Sequence, residues 1–324
     1  MAASAVSLPY TLRVTQLMSG ADPTILGLAP GIELAPTGGP CGVIVQGVDL
    51  QDDLPGDVVF LLLTIFNHAG VMILRDQHRL TPERHCQIME WFGRRFYRGA
   101  TPDAIDRLSM VGDLPLQLLS NRDTRKPGKQ VLQDPTGAAT QPLDWHSDVQ
   151  DYEVPPDVTV LHGVEIPPPS AGGNTYFVNL YRAYDELDAK TKALVNDLRW
   201  RPASTYETMK RVKQPKALAD TTPVDTSLVT QPVVRTHPVT GRKALWISSF
   251  TIELLGFDDP EEGKALLRRL RAHLIQPHLI YTHVWRQHDV IFWDNRCVNH
   301  ARDTWDGNYL REMHRAQAGG SRPF

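Results

Sequence analysis

Apolar and polar positions alternate in short runs along most of this chain, with a few longer segments of helical period between them. Gly42 to Leu50 reads as a strand, and Asp57 to His68 as an apolar helix that stops at Gly70. Val71-Met-Ile-Leu74 is a buried strand. Thr81 and Pro82 suit the N-cap and first position of a second helix, which Gly93 closes. Asp157 to Ile166 is another strand, Pro167 to Gly173 turns, and Thr175-Tyr-Phe-Val178 returns beside it as a hairpin-like unit. Tyr181 to Trp200 has helical character, with Asp188 as a cap partway along. Pro232 to Ile247 holds two strand-like runs around Pro-Val-Thr-Gly. Asp259-Pro260 opens an amphipathic helix with Ala265, Leu266, Leu270 and Leu274 at helical spacing. Leu279 to Trp285, Asp289 to Trp293 and a run through Tyr309 to Ala316 complete the strands.

Two stretches break this pattern. Met1 to Pro40 is rich in Gly, Pro and small residues, and reads as an N-terminal extension of irregular or edge structure. From about 97 to 143 periodicity dissolves into polar, turn-rich sequence such as Asn121-Arg-Asp-Thr-Arg-Lys-Pro-Gly-Lys129. A long stretch of this kind inside a compact domain is expected to serve function or to be a solvated insertion. Its position directly before the site described below favours a mobile cover. Short strands with interspersed helices predict a mainly β protein, a sandwich or barrel with helices on its outside, forming a single domain over 41–324.

Composition narrows the class. The 324 residues are 41% hydrophobic and 22% charged, enough for a proper core and unlike a disordered chain. Net charge is −3 with both signs mixed and no basic block, so no nucleic-acid partner is expected. No run approaches the ~20 apolar residues that span a bilayer. The three cysteines, Cys41, Cys86 and Cys297, form no CxxC and cannot all pair with one another, which predicts a reducing, cytoplasmic setting.

The candidate chemistry centres on Trp145-His146-Ser147-Asp148. Two residues apart on a strand, His146 and Asp148 would project from one face. His300, at the end of Ile291-Phe-Trp-Asp-Asn-Arg-Cys-Val-Asn-His300, would complete a two-His, one-carboxylate set with open positions opposite, the ligand set of non-haem Fe(II) oxygenases. Downstream, Arg311 and Arg315 share a strand face, and a guanidinium grips a carboxylate with a fork that Lys lacks. Two such groups in one cavity imply two anions. Other histidines read as bystanders: His78 with His85 and His283 with His288 as solvated or core residues, and His162 as a hydrogen-bonded core residue. His237 is read as structural, and His314 as facing outside the barrel. The Trp293-Asp294-Asn295-Arg296 turn is expected to support the His300 loop.

Taken together, Trp145-His146-x-Asp148, Gly172-Gly-Asn-Thr175, Val234-Arg-Thr-His-Pro-x-x-Gly241, Trp293-Asp-Asn-Arg296, His300 and Arg311-x-x-x-Arg315 resemble the taurine dioxygenase/2,4-dichlorophenoxyacetate dioxygenase family from about Gly42 to Phe324. The resemblance implies a double-stranded β-helix (jelly-roll, cupin-like) core. It further implies that His146, Asp148 and His300 bind Fe(II), that Thr175 and Arg311 hold the distal carboxylate of 2-oxoglutarate, and that Arg315 faces the acidic group of a small-molecule anionic substrate. With O2 as oxidant, it implies a hydroxylating dioxygenase that releases succinate and CO2. Asp148 argues for hydroxylation over halogenation, since related halogenases carry a small residue there. Family habit also suggests a homo-oligomer. Tyr97 and Arg98 are candidate substrate contacts. There, and at Pro142, the chain departs from the taurine-binding pattern, so an acid other than taurine is expected. The rival readings are a biosynthetic tailoring oxygenase acting on an amino-acid-derived substrate, and a non-catalytic 2-oxoglutarate or metal sensor. A sensor could dispense with part of the triad or with Arg311, whereas this chain keeps both.

Overall fold

The computed structural model describes residues 31–96, 110–112, 114–121, 142–203 and 229–324. In chain order the elements begin with β1 (Glu33–Pro36), β2 (Val43–Gln46), α1 (Gly56–Ala69), β3 (Val71–Leu74), α2 (Pro82–Met89), β4 (Met110–Val111), β5 (Leu114–Ser120) and β6 (Leu143–His146). The middle of the chain forms β7 (Val158–Glu165), β8 (Thr175–Asn179), α3 (Leu180–Asp185), α4 (Ala189–Val195), β9 (Arg199–Pro202), β10 (Gln231–Pro232), β11 (Val234–Thr236), β12 (Lys243–Leu245) and β13 (Thr251–Leu254). Last come α5 (Pro260–Leu274), β14 (Ile280–His283), β15 (Val290–Asp294), β16 (Val298–Arg302) and β17 (Glu312–Ala318).

Two sheets frame the molecule: an eight-stranded one ordered β1-β2-β3-β15-β7-β17-β5-β4, and a four-stranded one ordered β14-β8-β16-β6. From β6 to β8 and again from β14 to β17 the chain passes repeatedly between the sheets, as in a jelly roll. Strand β7 is central, bonded to β15 and β17, and buried at Val158 through Gly163. On its outward face His162 meets His85 of α2 (ring centroids 6.5 Å), and on its inward face Thr159 bonds Asp148.

Local chemistry explains the elements that cover the sheet. Helix α1 buries Leu61, Leu62, Ile65, Phe66 and Ala69, each large side chain worth ~1.5–3 kcal/mol on burial. It ends at Gly70 in the left-handed region (φ 69°), where a Cβ would stand 3.2 Å from Cys297 Sγ. Helix α2 begins as expected: Thr81 Oγ1 accepts the Arg84 N–H at 3.2 Å, and Pro82 takes the first position. Helix α5 buries Gly263, Leu266, Leu267, Leu270 and Leu274, while Ala265 is exposed, so the apolar stripe runs through Leu267 instead.

The structure corrects several expectations. Strands β7 and β8 do not form a hairpin; they belong to different sheets, and Pro167, Pro168 and Pro169, which have no N–H to extend a ladder, carry the chain across. The helix expected over 181–200 is two short helices, with Asp188 capping the second through Thr191 N–H (2.9 Å), followed by strand β9. Glu33–Pro36, within the expected extension, is an edge strand of the large sheet. Leu114–Ser120, within the stretch read as patternless, is a strand paired with β17. Apart from 110–112, 114–121 and 142–143, the expected cover lies outside the described residues. Among the described residues, no helix is long and apolar enough to cross a membrane, and the three cysteines are free and buried.

Candidate active site

The inner face of the four-stranded sheet brings His146 and His300 together. Strands β6 and β16 pair with these two residues directly opposite, and their rings lie 4.2 Å apart between centroids. Asp148 arrives differently from the strand alternation expected: β6 ends at His146, and a turn with Val149 at φ 53° swings the carboxylate back. Its Oδ1 then sits 3.9 Å from Nε2 of both His146 and His300. One ligand atom from each residue lies within 4.8 Å of the others, the only such His/Cys/Asp/Glu cluster among the described residues.

Protonation suits a cation in this position. His146 Nδ1–H donates to Asp144 O at 2.6 Å, which leaves the Nε2 lone pair facing inward. Burial, only partly opposed by Asp148, lowers the His146 pKa; burial and then His146 lower that of His300 to about 3. Burial alone would raise the Asp148 carboxyl, but Arg315, then His300 and His146, hold it below the usual carboxylate range. Two neutral imidazoles and one carboxylate are the forms a metal ion requires.

Arg311 is the second feature. It precedes β17, and its backbone N–H donates to Asn121 Oδ1 at 2.9 Å; Asn121 in turn donates to Tyr309 O. The guanidinium is 4% exposed and lies 5.1 Å from the Trp305 ring, which Arg302 also approaches at 4.7 Å. Burial, then the neighbouring Arg302 charge, brings its pKa down to about 9. Among the described residues no carboxylate forms an ion pair with it. A buried guanidinium in this state is matched to an anion supplied from outside the chain.

The Gly172-Gly173-Asn174-Thr175 motif fits around this cation. Gly172 (φ 83°) forms a bridge with Trp305, and a Cβ on it would stand 2.4 Å from Thr304 O. A Cβ on Gly173 would meet Arg311 Nε at 3.5 Å. Thr175 is buried at the start of β8, and its Oγ1 accepts from Trp285 Nε1 at 2.9 Å, which leaves its own proton to donate. Arg315 lies on β17: its Nη2 donates to Asp148 Oδ1 at 2.5 Å and its Nη1 to Gln117 Oε1 at 3.1 Å. The structure thus pairs Arg315 with the triad carboxylate. Tyr97 and Arg98 lie outside the described residues.

Several supporting groups carry no local sequence signature. Trp305, Asn121, Trp285 and Thr159 became visible only once distant strands were paired. The Asp294-Asn295-Arg296 turn has two tasks. Asp294 binds Arg296 (2.7 Å) and His237 (3.0 Å), while Asn295 Oδ1 accepts the backbone N–H of Asp148 at 3.1 Å. His237 is therefore structural, and His283 is a core residue bonded to Asp289 and Tyr281. His162 is in the core, but among the described residues its Nε2 has no hydrogen-bond partner, in contrast to the expected bonded role. His314 points away from the site, yet it is buried against His162 rather than exposed. A cavity of about 430 Å³ lined by Trp145, Tyr176, Ile280, Thr282 and Ala301 opens on the opposite face of the small sheet.

Comparison with known proteins agrees with this geometry. The family described as "Taurine catabolism dioxygenase TauD, TfdA family" matches residues 33–317. An (S)-phenoxypropionate/alpha-ketoglutarate-dioxygenase from Sphingobium herbicidovorans is 30% identical over 90% of this chain and 96% of its own length. An alpha-ketoglutarate-dependent 2,4-dichlorophenoxyacetate dioxygenase from Cupriavidus pinatubonensis is 33% identical over 84% and 92%. Among solved structures, a taurine dioxygenase from Burkholderia xenovorans superposes with a TM-score of 0.69 at 29% identity, covering 91% of both chains.

Proposed function

The chain belongs to the taurine catabolism dioxygenase TauD, TfdA family, whose members are Fe(II)- and 2-oxoglutarate-dependent enzymes that consume O2, and from this premise we propose that it hydroxylates a small or medium organic acid, a carboxylate or sulfonate. The observation that carries this reading is a pair of neighbouring features: three convergent ligands, and a buried guanidinium that forms no ion pair among the described residues. His146, Asp148 and His300 would hold Fe(II), with Arg311 and Thr175 binding the distal carboxylate of 2-oxoglutarate. When bound, the metal and keto acid would activate O2, one oxygen atom going to succinate as CO2 leaves and the other replacing hydrogen at an unactivated C–H as hydroxyl.

The chain's own residues do the remaining work. Asp144 fixes the His146 tautomer, Trp285 aims the Thr175 hydroxyl, and the Trp305 ring holds the Arg311 fork. Arg315, here paired with Asp148 and Gln117, would turn its guanidinium to the substrate's acidic group and so bring a nearby carbon to the metal. Hydroxylation beside an ether or sulfonate carbon would leave an unstable adduct that collapses with C–O or C–S cleavage; the names of the phenoxypropionate and 2,4-dichlorophenoxyacetate relatives support that form. We also read the protein as a cytoplasmic homo-oligomer, its free buried cysteines fitting a reducing compartment.

The test is O2-dependent succinate formation with Fe(II) and 2-oxoglutarate, first alone and then across carboxylates, sulfonates and sulfate esters. At least one acid should stimulate turnover. Arg315→Ala should keep the slow uncoupled turnover and lose the stimulation; stimulation unchanged in that variant refutes the role given to Arg315.

A further inference from the structure

Resting on the metal-site reading above, we propose that Thr159 is a positioning residue that limits Asp148 to a single metal-ligating oxygen. Thr159 is fully buried on the inward face of β7, where Trp293 and Gln317 are its cross-strand partners. Its hydroxyl donates to Asp148 Oδ2 at 2.5 Å and accepts from Asn295 Nδ2 at 3.0 Å and Gln317 Nε2 at 3.1 Å.

The direction of each bond is fixed by elimination. Asn295 Oδ1 accepts from two groups that can only donate, the Asp148 backbone N–H and the Trp293 indole N–H, both at 3.1 Å. The Asn295 amide nitrogen must therefore face Thr159 and donate to it. Asp148 Oδ2, a carboxylate oxygen, can only accept, so Gln317 must present Nε2 as the second donor, which fills both acceptor positions of the hydroxyl. Its one proton has a single destination, Asp148 Oδ2. That oxygen is tied back toward β7, while Oδ1, which also accepts from Arg315 Nη2, faces both imidazoles at 3.9 Å. A carboxylate free to rotate could offer both oxygens to a metal and occupy a coordination position that the keto acid or O2 needs. Thr159 closes that option, and its effect is exerted through Asp148 alone.

The experiment compares Thr159→Val, Thr159→Ala and Thr159→Ser with the unaltered protein under anaerobic conditions. Mn(II) and Fe(II) dissociation constants are measured first, followed by the visible charge-transfer band that Fe(II) gives with chelated 2-oxoglutarate. Outer ligands of this kind are worth ~10–100-fold in metal affinity. The Val variant should lose affinity by that factor, and at saturating metal should show a weakened or shifted band. The Ala variant, which removes the same donor without adding an apolar group, should behave alike and serves if the Val protein does not fold. The Ser variant should restore both affinity and band. Unchanged affinity and band in Val or Ala, or a Ser variant as defective as Val, overturns the role of Thr159 and leaves the metal site standing. Failure of the unaltered protein to bind either ion removes the site itself, and this inference with it.

Discussion

Replacing Arg311 with Met should move two measurable quantities in opposite directions. The guanidinium is 4% exposed, has no carboxylate partner among the described residues, and has its pKa brought down from its ordinary value to about 9 by burial and by Arg302. At about 1.4 kcal/mol per pH unit this corresponds to several kcal/mol held against the folded protein at neutral pH. The stacking on Trp305 offsets part of that, ~1–2 kcal/mol for a desolvated cation over an indole. Met fills similar volume without charge, so the ligand-free variant should be more stable by ~1–3 kcal/mol, a rise of a few degrees in Tm. Binding of 2-oxoglutarate should weaken at the same time. Losing one partner of a buried charge pair costs ~3–5 kcal/mol, a Kd increase on the order of 10²–10⁴-fold. Scanning calorimetry with Mn(II), with and without the keto acid, reads both effects. A variant whose Tm falls and whose keto-acid affinity is unchanged would falsify the assignment of Arg311 as an anion site.

Other outcomes follow from the same geometry. His85 is 1% exposed, neither ring nitrogen has a partner among the described residues, and burial lowers its pKa to about 3, as it does for the adjacent His162. Each stays neutral in the fold while the unfolded chain takes up a proton near pH 6.5, so stability should fall as pH drops from about 6.5 toward 3, by ~1.4 kcal/mol per pH unit for each histidine. His85→Leu should flatten that slope in a Tm-against-pH series; an unchanged slope would count against the burial argument. Asp294→Asn leaves the Arg296 guanidinium short of a buried counter-charge and should cost ~3–5 kcal/mol in denaturant unfolding. Gly172→Ala places a Cβ 2.4 Å from Thr304 O at φ 83°, and should weaken keto-acid binding more than metal binding, because the displaced segment between β16 and β17 carries Trp305. Equal weakening of both in titration would contradict that placement.

Much of the site was legible because its reactive members lie in short, spaced motifs. His146, Asp148, His300 and Arg311 were identifiable by residue type, since few side chains bind metals or fork onto carboxylates. Their convergence was not readable. His146 and His300 meet because β6 and β16 pair, and Asp148 joins them through a turn where strand alternation was expected. The hairpin expected from β7 and β8 failed for a related reason: prolines mark a break in pairing but not which sheet the chain enters next.

The sequence by itself determined the chemical inventory: three metal-competent side chains, a pair of arginines, the glycines that let backbone approach, and the caps and apolar stripes of the helices. These follow from properties each residue carries wherever it sits. Only the tertiary structure decided that Arg311 is buried with no ion pair among the described residues, that the Trp305 ring lies beside both it and Arg302, and that Asn295 and Gln317 both donate to the Thr159 hydroxyl that bonds Asp148. Burial and hydrogen-bond satisfaction are properties of neighbourhoods, and Thr159 stands more than a hundred residues along the chain from both Asn295 and Gln317.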